Sequence, residues 1–153
     1  MNKLLLSLHV LAALVTVGPV TVAASMFPAV LRRTPGDHDA RSTLRTLHRI
    51  CRVYAGIGVA VPVLGLATAG GLGVLGDTWL IISILLTAAA AGVLGLLILP
   101  AQEGALAGTT GADSSARLPL EPGRLAMVTG IFNLLWAAVT VLMIIRPGST
   151  TGV

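Results

Sequence analysis

Residues 78–100 read TWLIISILLTAAAAGVLGLLILP, and no charged side chain interrupts them. A bilayer hydrocarbon core of about 30 Å is crossed by roughly 20 apolar residues in helical form. Three further uncharged runs of this kind occur at residues 4–31, 53–75 and 125–145. Backbone groups in lipid are satisfied only within helices or closed barrels, and unbroken apolar runs are typical of helices. The sequence therefore predicts an all-α polytopic membrane protein with four transmembrane helices in an antiparallel bundle.

The overall composition agrees with this prediction. Of the 153 residues, 55% are hydrophobic and 10% are charged, whereas a soluble globular domain has about 25% charged residues. Ten Lys and Arg against six Asp and Glu give a net charge of +4. These values exclude a disordered tail, a coiled coil and a soluble basic domain, and no nucleic-acid partner is expected. We expect a single membrane domain over residues 1–153.

The positions of the basic residues predict the orientation of the helices. Eight of the ten lie in the connections that follow the first and third apolar runs, and only Lys3 and Arg146 lie on the opposite side. Cytoplasmic loops carry the excess of Lys and Arg. We therefore expect a multi-pass protein of the bacterial inner membrane with both long loops in the cytoplasm and both termini outside. Six arginines of the first connection are assigned to topology or to contact with anionic lipid headgroups: Arg32, Arg33, Arg41, Arg45, Arg49 and Arg52.

A cleavable signal peptide is an alternative interpretation of the first apolar run. Lys3, the apolar stretch and the small residues Ala23, Ala24 and Ser25 resemble such a signal. The run continues to Val30, however, beyond the roughly 7 to 15 apolar residues of a signal peptide. Cleavage would also require export of the arginine-rich segment. We expect residues 4–31 to remain as a membrane helix.

The connections between the runs differ in character. Residues 39–54 place Leu44, Leu47 and Cys51 on one face and arginines on another, which predicts a basic amphipathic helix leading into the second span. Residues 101–123 are rich in Ala, Gly, Ser and Thr, which predicts a flexible linker. The remaining connection is short. Asp77 in this connection is expected to cap the third helix. The indole of Trp79 is expected to lie at the membrane interface.

Small residues recur at the intervals that favour close packing of membrane helices. The second run carries Gly58, Pro62, Gly65 and Ala69, and the third carries Ala88, Gly92 and Gly95. We therefore expect a compact bundle that associates with itself or with another membrane protein.

Polar side chains inside the spans form the candidate site. At about 1.5 Å per residue, His9 and Thr140 lie at similar depth, and Thr16 and Asn133 are expected to pair nearer the midplane. An intramembrane ionisable residue is a functional hypothesis by default. His9 has three candidate roles: packing, ligation of a metal or haem, and handling of protons or a substrate. The full candidate stripe comprises His9, Thr16, Asn133, Trp136, Thr140 and Met143.

The sequence offers little for cofactor binding or catalysis. A bis-histidine haem site requires two imidazoles at similar depth on facing helices, but His9, His38 and His48 belong to three different regions. Copper favours clusters of His and Met, and His9 with Met143 is the one pair suitably placed. No Ser, His and Asp set, phosphate loop or pair of intramembrane carboxylates is recognisable. We expect no metal site, no cofactor and no enzymatic activity.

Short motifs also give the chain a family resemblance. They are Leu8-His9-Val10-Leu11 with Gly18, Leu47-His48-Arg49, Tyr54-Ala55-Gly56 and Leu135-Trp136. Through them the chain resembles the small four-helix predicted integral membrane proteins of actinobacteria, which carry a domain-of-unknown-function label and are distantly similar to copper-resistance D proteins. The resemblance spans nearly the whole chain. It implies a four-helix fold and a membrane location but no established activity, and the copper-type families use more His and Met than this chain has.

The functional expectation is an accessory or scaffolding bundle without enzymatic activity. One alternative is a small-solute or ion permease, which predicts a water-accessible cavity lined by His9, Thr16, Asn133 and Thr140. The other is a metal- or haem-binding membrane protein that uses His9.

Overall fold

The computed structural model describes residues 2–33, 38–109 and 121–147, and the regular structure within these ranges is helical. Four stretches are long and apolar enough to cross a membrane, which confirms the all-α prediction and the number of spans: Lys3–Leu31, Asp39–Leu72, Thr78–Gly108 and Pro122–Ile145. The elements are α1 (Asn2–Leu31), α2 (His38–Gly58), α3 (Ala60–Leu72), α4 (Thr78–Gly92), a π-helical segment (Val93–Ile98), α5 (Leu99–Thr109) and α6 (Pro122–Ile145).

The second span consists of two helices separated at Val59. The N–H of Val59 donates to the carbonyl of Gly56 at 3.3 Å, which is three residues back instead of four. Pro62 follows in the first turn of α3 and has no N–H to offer the carbonyl of Gly58. The helix is therefore interrupted where a backbone N–H donor is missing.

The predicted amphipathic helix is confirmed and forms most of α2. Leu44 and Cys51 are fully buried, whereas Arg45 and Arg49 on the other face are exposed. The helix begins at His38, so Asp39 lies inside the first turn and is not the residue that precedes it. Asp37 and Asp39 are the two acidic residues that the sequence offers as caps for the start of this helix, and Asp37 lies outside the described residues.

The predicted linker at residues 101–123 is wrong at both of its described ends. The third span continues through α5 to Thr109, and α6 already begins at Pro122. Ala101, Gln102 and Ala105 are buried, because this Ala-rich stretch packs against α2. Alanine is the best helix former, so the composition that suggested a linker also suits a packed helix. Residues 110–120 lie outside the described part of the chain.

A π-helical segment precedes the proline of the third span. Over Val93–Ile98 the helix widens, and the N–H of Leu99 donates to the carbonyl of Leu94, five residues back. Pro100 lacks an N–H, and in an ordinary helix its ring would clash with the carbonyl four residues earlier. Single wider turns of this kind are a recognised cause of helix bending. Here the wider turn lets one continuous span pass through the proline.

The main hydrophobic core lies where α1 meets α2 and α6. Phe27, Leu44 and Phe132, one from each helix, are at most 1% exposed. Large apolar side chains such as Leu96 and Leu134 are exposed on the outside. Contiguous apolar surface of this extent is unusual on a soluble protein and is the surface that a lipid-embedded bundle presents.

Candidate functional site

His9 is held by the second span and not by α6. Its Nδ1 lies 2.9 Å from the carbonyl oxygen of Val61, and because a carbonyl only accepts, Nδ1 donates the hydrogen bond. The ring is buried against the backbone of α3: a Cβ on Gly65 would lie 2.9 Å from Cε1 of His9. The imidazole therefore ties α1 to α3, and the close approach requires glycine at position 65.

The predicted juxtaposition of His9 with Thr140 is wrong. The hydroxyl of Thr140 donates to the carbonyl of Trp136 in its own helix at 2.9 Å, and its side chain is exposed. Helical spacing gives the depth of a residue and its face on its own helix. It does not give the neighbour toward which that face is turned, and here the neighbours differ.

The predicted pair of Thr16 and Asn133 is also wrong. Asn133 Nδ2 donates to Ser25 Oγ at 3.2 Å, and Ser25 lies about 13 Å farther along α1 than Thr16 at 1.5 Å per residue. Asn133 Oδ1 and Thr16 Oγ1 are buried, and neither has a partner among the residues that the structure describes. The polar side chains are therefore distributed along the bundle and do not form one constellation.

Thr16 and Trp136 line a cavity between the spans, which we call the Thr16 cavity. Its volume is about 140 Å³, and side chains from all four spans contribute to its walls. Val20, Leu94 and Phe132 supply apolar surface, and the ring of Phe132 meets that of Trp136 edge-on with centroids 6.3 Å apart. Thr16 Oγ1 and Trp136 Nε1 are buried, with no hydrogen-bond partner in the described ranges.

Most of the candidate stripe lies away from the Thr16 cavity. His9, Asn133 and Thr140, which the permease interpretation requires as lining, do not contribute to its walls. Met143 packs instead against a small cluster around Trp79. The walls of the Thr16 cavity are almost entirely apolar, which does not suit the passage of a hydrated ion or a polar solute.

A polar cluster that the sequence did not predict joins α2 to α5. His48 Nδ1 lies 3.0 Å from Gln102 Oε1, and Gln102 Nε2 donates to Cys51 Sγ at 3.6 Å. His48 Nε2 lies 3.7 Å from Glu103 Oε1. Gln102 is completely buried, whereas the Glu103 side chain is 57% exposed. The cluster escaped prediction because residues 101–123 were interpreted as a linker; the available signal was the helix-forming alanines around Gln102.

Asp77 occupies the predicted capping position, but its carboxylate does not cap the helix. The residue precedes α4 in an extended conformation without a side-chain capping bond. Its Oδ2 accepts a hydrogen bond from Trp79 Nε1 at 3.0 Å. The guanidinium of Arg146 lies 5.6 Å from the centroid of the Trp79 ring. Trp79 is therefore buried at the start of α4 between an acceptor and a cation.

The six arginines of the first connection lie at the end of α1 and along α2. Arg41 is half-buried, and its Nε has no partner among the described residues. The other five are exposed: Arg32, Arg33, Arg45, Arg49 and Arg52.

Within residues 2–33, 38–109 and 121–147, no three His, Cys, Asp or Glu side chains come close enough together to hold a metal ion. Comparisons with protein-family models, with curated proteins and with solved structures give no match to this chain.

Proposed function

We propose that this chain is a non-enzymatic polytopic protein of the bacterial inner membrane that acts as an accessory or scaffolding bundle of four antiparallel helices. The observation that carries the proposal is how two polar side chains within the spans are used. His9 joins α1 to α3, and Asn133 joins α6 to α1. Groups that act on a substrate face a common space, whereas these groups are engaged in contacts between helices.

The order of the contacts supports an antiparallel arrangement. Along α1, His9 meets Val61 and the later Thr16 approaches the earlier Gly58, at 3.1 Å from a Cβ built there. Later residues of α1 thus contact earlier residues of the second span, as antiparallel neighbours do. The start of α4 likewise lies against the residue that follows α6.

The exposed arginines support an orientation with both long loops in the cytoplasm. We propose that they lie on the cytoplasmic side, where Lys and Arg accumulate in membrane proteins. Arg45 and Gly76 are exposed positions on the two sides. The test replaces each by cysteine in a Cys51→Ser background and labels intact cells with a membrane-impermeant maleimide. Labelling of Gly76→Cys alone is expected; labelling of Arg45→Cys from outside would reverse the topology.

A surface of small residues on the third span supports association. Gly58 and Gly65, two of the four residues expected to pack in the second run, approach side chains of α1. Ala88, in contrast, is exposed, and a Cβ on Gly92 or Gly95 would meet nothing within 4 Å. Ala88 and Gly92 have the small-xxx-small spacing through which membrane helices pair with copies of themselves. We propose that this surface receives a second copy of the chain.

Disulfide trapping tests this association. In the Cys51→Ser background, Ala88→Cys is expected to give a covalent dimer on mild oxidation, whereas Leu134→Cys, equally apolar and exposed on α6, is not. Gentle purification from native membrane gives the second readout. A monomer without cross-link would contradict self-association, and a stoichiometric heterologous membrane protein would assign the surface to that partner instead.

A further inference from the structure

The Thr16 cavity opens between the second and third spans. Its floor includes Val20 of the first span and Phe132 of the fourth, which are 2% and 1% exposed. The exposed members of its lining come from the other two spans: Val59 and Pro62 from the second and Ala91 from the third. The mouth of the cavity therefore lies between the second and third spans.

These two spans are joined at two levels but pack mainly against other helices. α3 packs against α1, and α4 packs against α6. Ala69 and Trp79 belong to a small cluster that joins α3 to α4, and the hydrogen bonds of Gln102 join α5 to α2. The lining residues of the two spans, within 54–62 and 87–94, lie between these two junctions along the chain. The mouth is therefore a lateral window that is closed at both ends.

The window lies at the depth where lipid chains end. Thr16, in the floor of the cavity, is about 21 Å along the helix axis from Asn2 and about 22 Å from Leu31, at 1.5 Å per residue. It is thus near the middle of its span, where the chain ends of the two leaflets meet. The cavity has a volume of about 140 Å³ and walls that are almost entirely apolar. A dry, apolar cavity of about 150 Å³ holds benzene, so this one accommodates the last few carbon atoms of an acyl chain.

A row of exposed side chains on α2 leads to the window. Arg45, Arg52 and Val59 follow one another at intervals of seven residues, which places them on one face of the helix. All three are exposed. The row continues through the interruption of the second span, because Val59 keeps a helical backbone with φ −60° and ψ −28°. Neither arginine forms an ion pair within the described ranges.

The two arginines lie at the depth of a phospholipid headgroup. Along the axis, Arg52 is about 10 Å and Arg45 about 21 Å from Val59. The boundary of a hydrocarbon core of about 30 Å lies about 15 Å from its midplane, which is between these two positions. A phospholipid whose chain ends at Val59 therefore carries its phosphate at the level of both guanidinium groups.

We infer that the Thr16 cavity holds the end of an acyl chain of an anionic phospholipid whose headgroup is bound by Arg45 and Arg52. A net negative headgroup is favoured over a zwitterionic one, because each arginine near a membrane surface adds to the attraction of anionic lipid. The inference rests on the proposed membrane location. It depends neither on the orientation of the protein nor on its association with a second copy.

The experiment follows the quenching of Trp136 fluorescence, because this side chain lines the cavity and bromine quenches an indole at short range. The full-length Trp79→Phe protein is placed in phosphatidylcholine bicelles and titrated with phosphatidylglycerol that carries bromine at the methyl ends of its chains. Phosphatidylcholine with the same brominated chains is the matched probe. Phosphatidylglycerol is expected to quench with saturation and to bind about 25-fold more tightly than the host lipid, about fivefold for each arginine. Brominated phosphatidylcholine should quench only in proportion to its mole fraction.

Variants of the arginines test the headgroup contact. Arg52→Gln is expected to weaken the binding of phosphatidylglycerol about fivefold, whereas Arg52→Lys keeps the charge and should retain most of it. Arg124→Gln is the matched control, because Arg124 is exposed at the start of α6, away from the row on α2. An equal effect of Arg124→Gln and Arg52→Gln, or equal binding of the two headgroups, would overturn the inference.

Variants of the third span test the position of the chain end. Ala91→Leu narrows the window and is expected to remove the saturable quenching. Ala89→Leu is its control, because Ala89 is exposed on the same helix but does not line the cavity. Saturable quenching that persists in Ala91→Leu would also overturn the inference. Bicelles offer both leaflets, so a reversed topology leaves these results unchanged, and disulfide trapping reports self-association separately.

Discussion

His9 and Gly65 lie in direct contact across the interface of α1 and α3. A Cβ built on Gly65 falls 2.9 Å from His9 Cε1, closer than real Cβ atoms approach other atoms. The ring cannot retreat freely, because its Nδ1 is bonded to the carbonyl of Val61. Position 65 is thus restricted to glycine by a neighbour that is itself fixed.

Gly65→Ala is expected to destabilise the protein. The added methyl group forces the imidazole away from Val61, and overpacking of this kind costs about 1 to 3 kcal/mol. The matched control is Gly18→Ala, where a Cβ meets nothing within 4 Å and the change should be neutral or stabilising by up to about 1 kcal/mol. The free energy of unfolding in mixed micelles distinguishes the two. Equal effects at both positions would contradict the packing described for His9.

His9→Leu and Thr140→Val are expected to act independently. His9→Leu removes the bond to Val61, and hydrogen bonds between membrane helices contribute about 0.6 kcal/mol on average and at most about 1.7. Thr140 is bonded within its own helix, so its replacement should have little effect. A double-mutant cycle on unfolding free energies should give a coupling near zero. A substantial coupling would place the two side chains together, as the sequence had suggested.

Gln102→Leu is expected to loosen the contact between α5 and α2. The change removes the acceptor for His48 Nδ1 and the donor to Cys51, and a buried group left unpaired costs about 1 to 3 kcal/mol. The expected result is a lower Tm together with faster alkylation of Cys51, which is buried in the native chain.

Glu103→Gln is the matched control for this cluster. The carboxylate is 57% exposed and lies 3.7 Å from His48, and exposed ion pairs contribute about 0 to 1 kcal/mol. We expect a small change in Tm and unchanged alkylation of Cys51. A larger fall in Tm for Glu103→Gln than for Gln102→Leu would show that the ion pair of His48 and Glu103 stabilises the cluster more than the hydrogen bonds of Gln102 do.

Arg146→Gln is expected to destabilise the junction of α4 and α6. The variant removes the cation that lies 5.6 Å from the Trp79 ring centroid, an interaction of about 0.5 to 1 kcal/mol at an exposed site. Arg146→Lys keeps the cation and should retain most of the stability. Arg146 has a positive φ of 44°, and both replacements experience the same backbone strain. The loss of stability is followed by unfolding monitored through Trp79 emission in a Trp136→Phe background. Equal destabilisation by Arg146→Gln and Arg146→Lys would rule out the cation as the cause.

The spans were predictable because lipid leaves the backbone few alternatives. An uncharged run of about 20 residues has one stable conformation there, so the first run, predicted to end at residue 31, does end at Leu31. The faces of α2 were predictable for a similar reason, since Leu44 and Arg45 differ so strongly in hydration. Local patterns of this kind depend on the chain and its solvent only.

The partners of the polar side chains were not predictable in the same way. Asn133 does contact α1, but at Ser25, which lies about 13 Å along the helix axis from Thr16. The relative position of two helices is set by packing of all the spans together, which periodicity along one helix does not contain. Gln102 was missed for a different reason: its burial depends on α2, more than 40 residues away in sequence.

The π-helical segment at Val93–Ile98 acts as a phase shift within a single span. Each residue of an α-helix advances the chain by about 100° around its axis, so the wider turn changes the azimuth of every residue that follows it. α4 packs against α6, whereas α5 packs against α2. The two halves of the third span therefore contact different neighbours. If Val93–Ile98 were regular α-helix of the same length, each residue after it would lie about 100° farther around the axis, and Gln102 would leave its contact with His48 with no change in the hydrophobicity of the span.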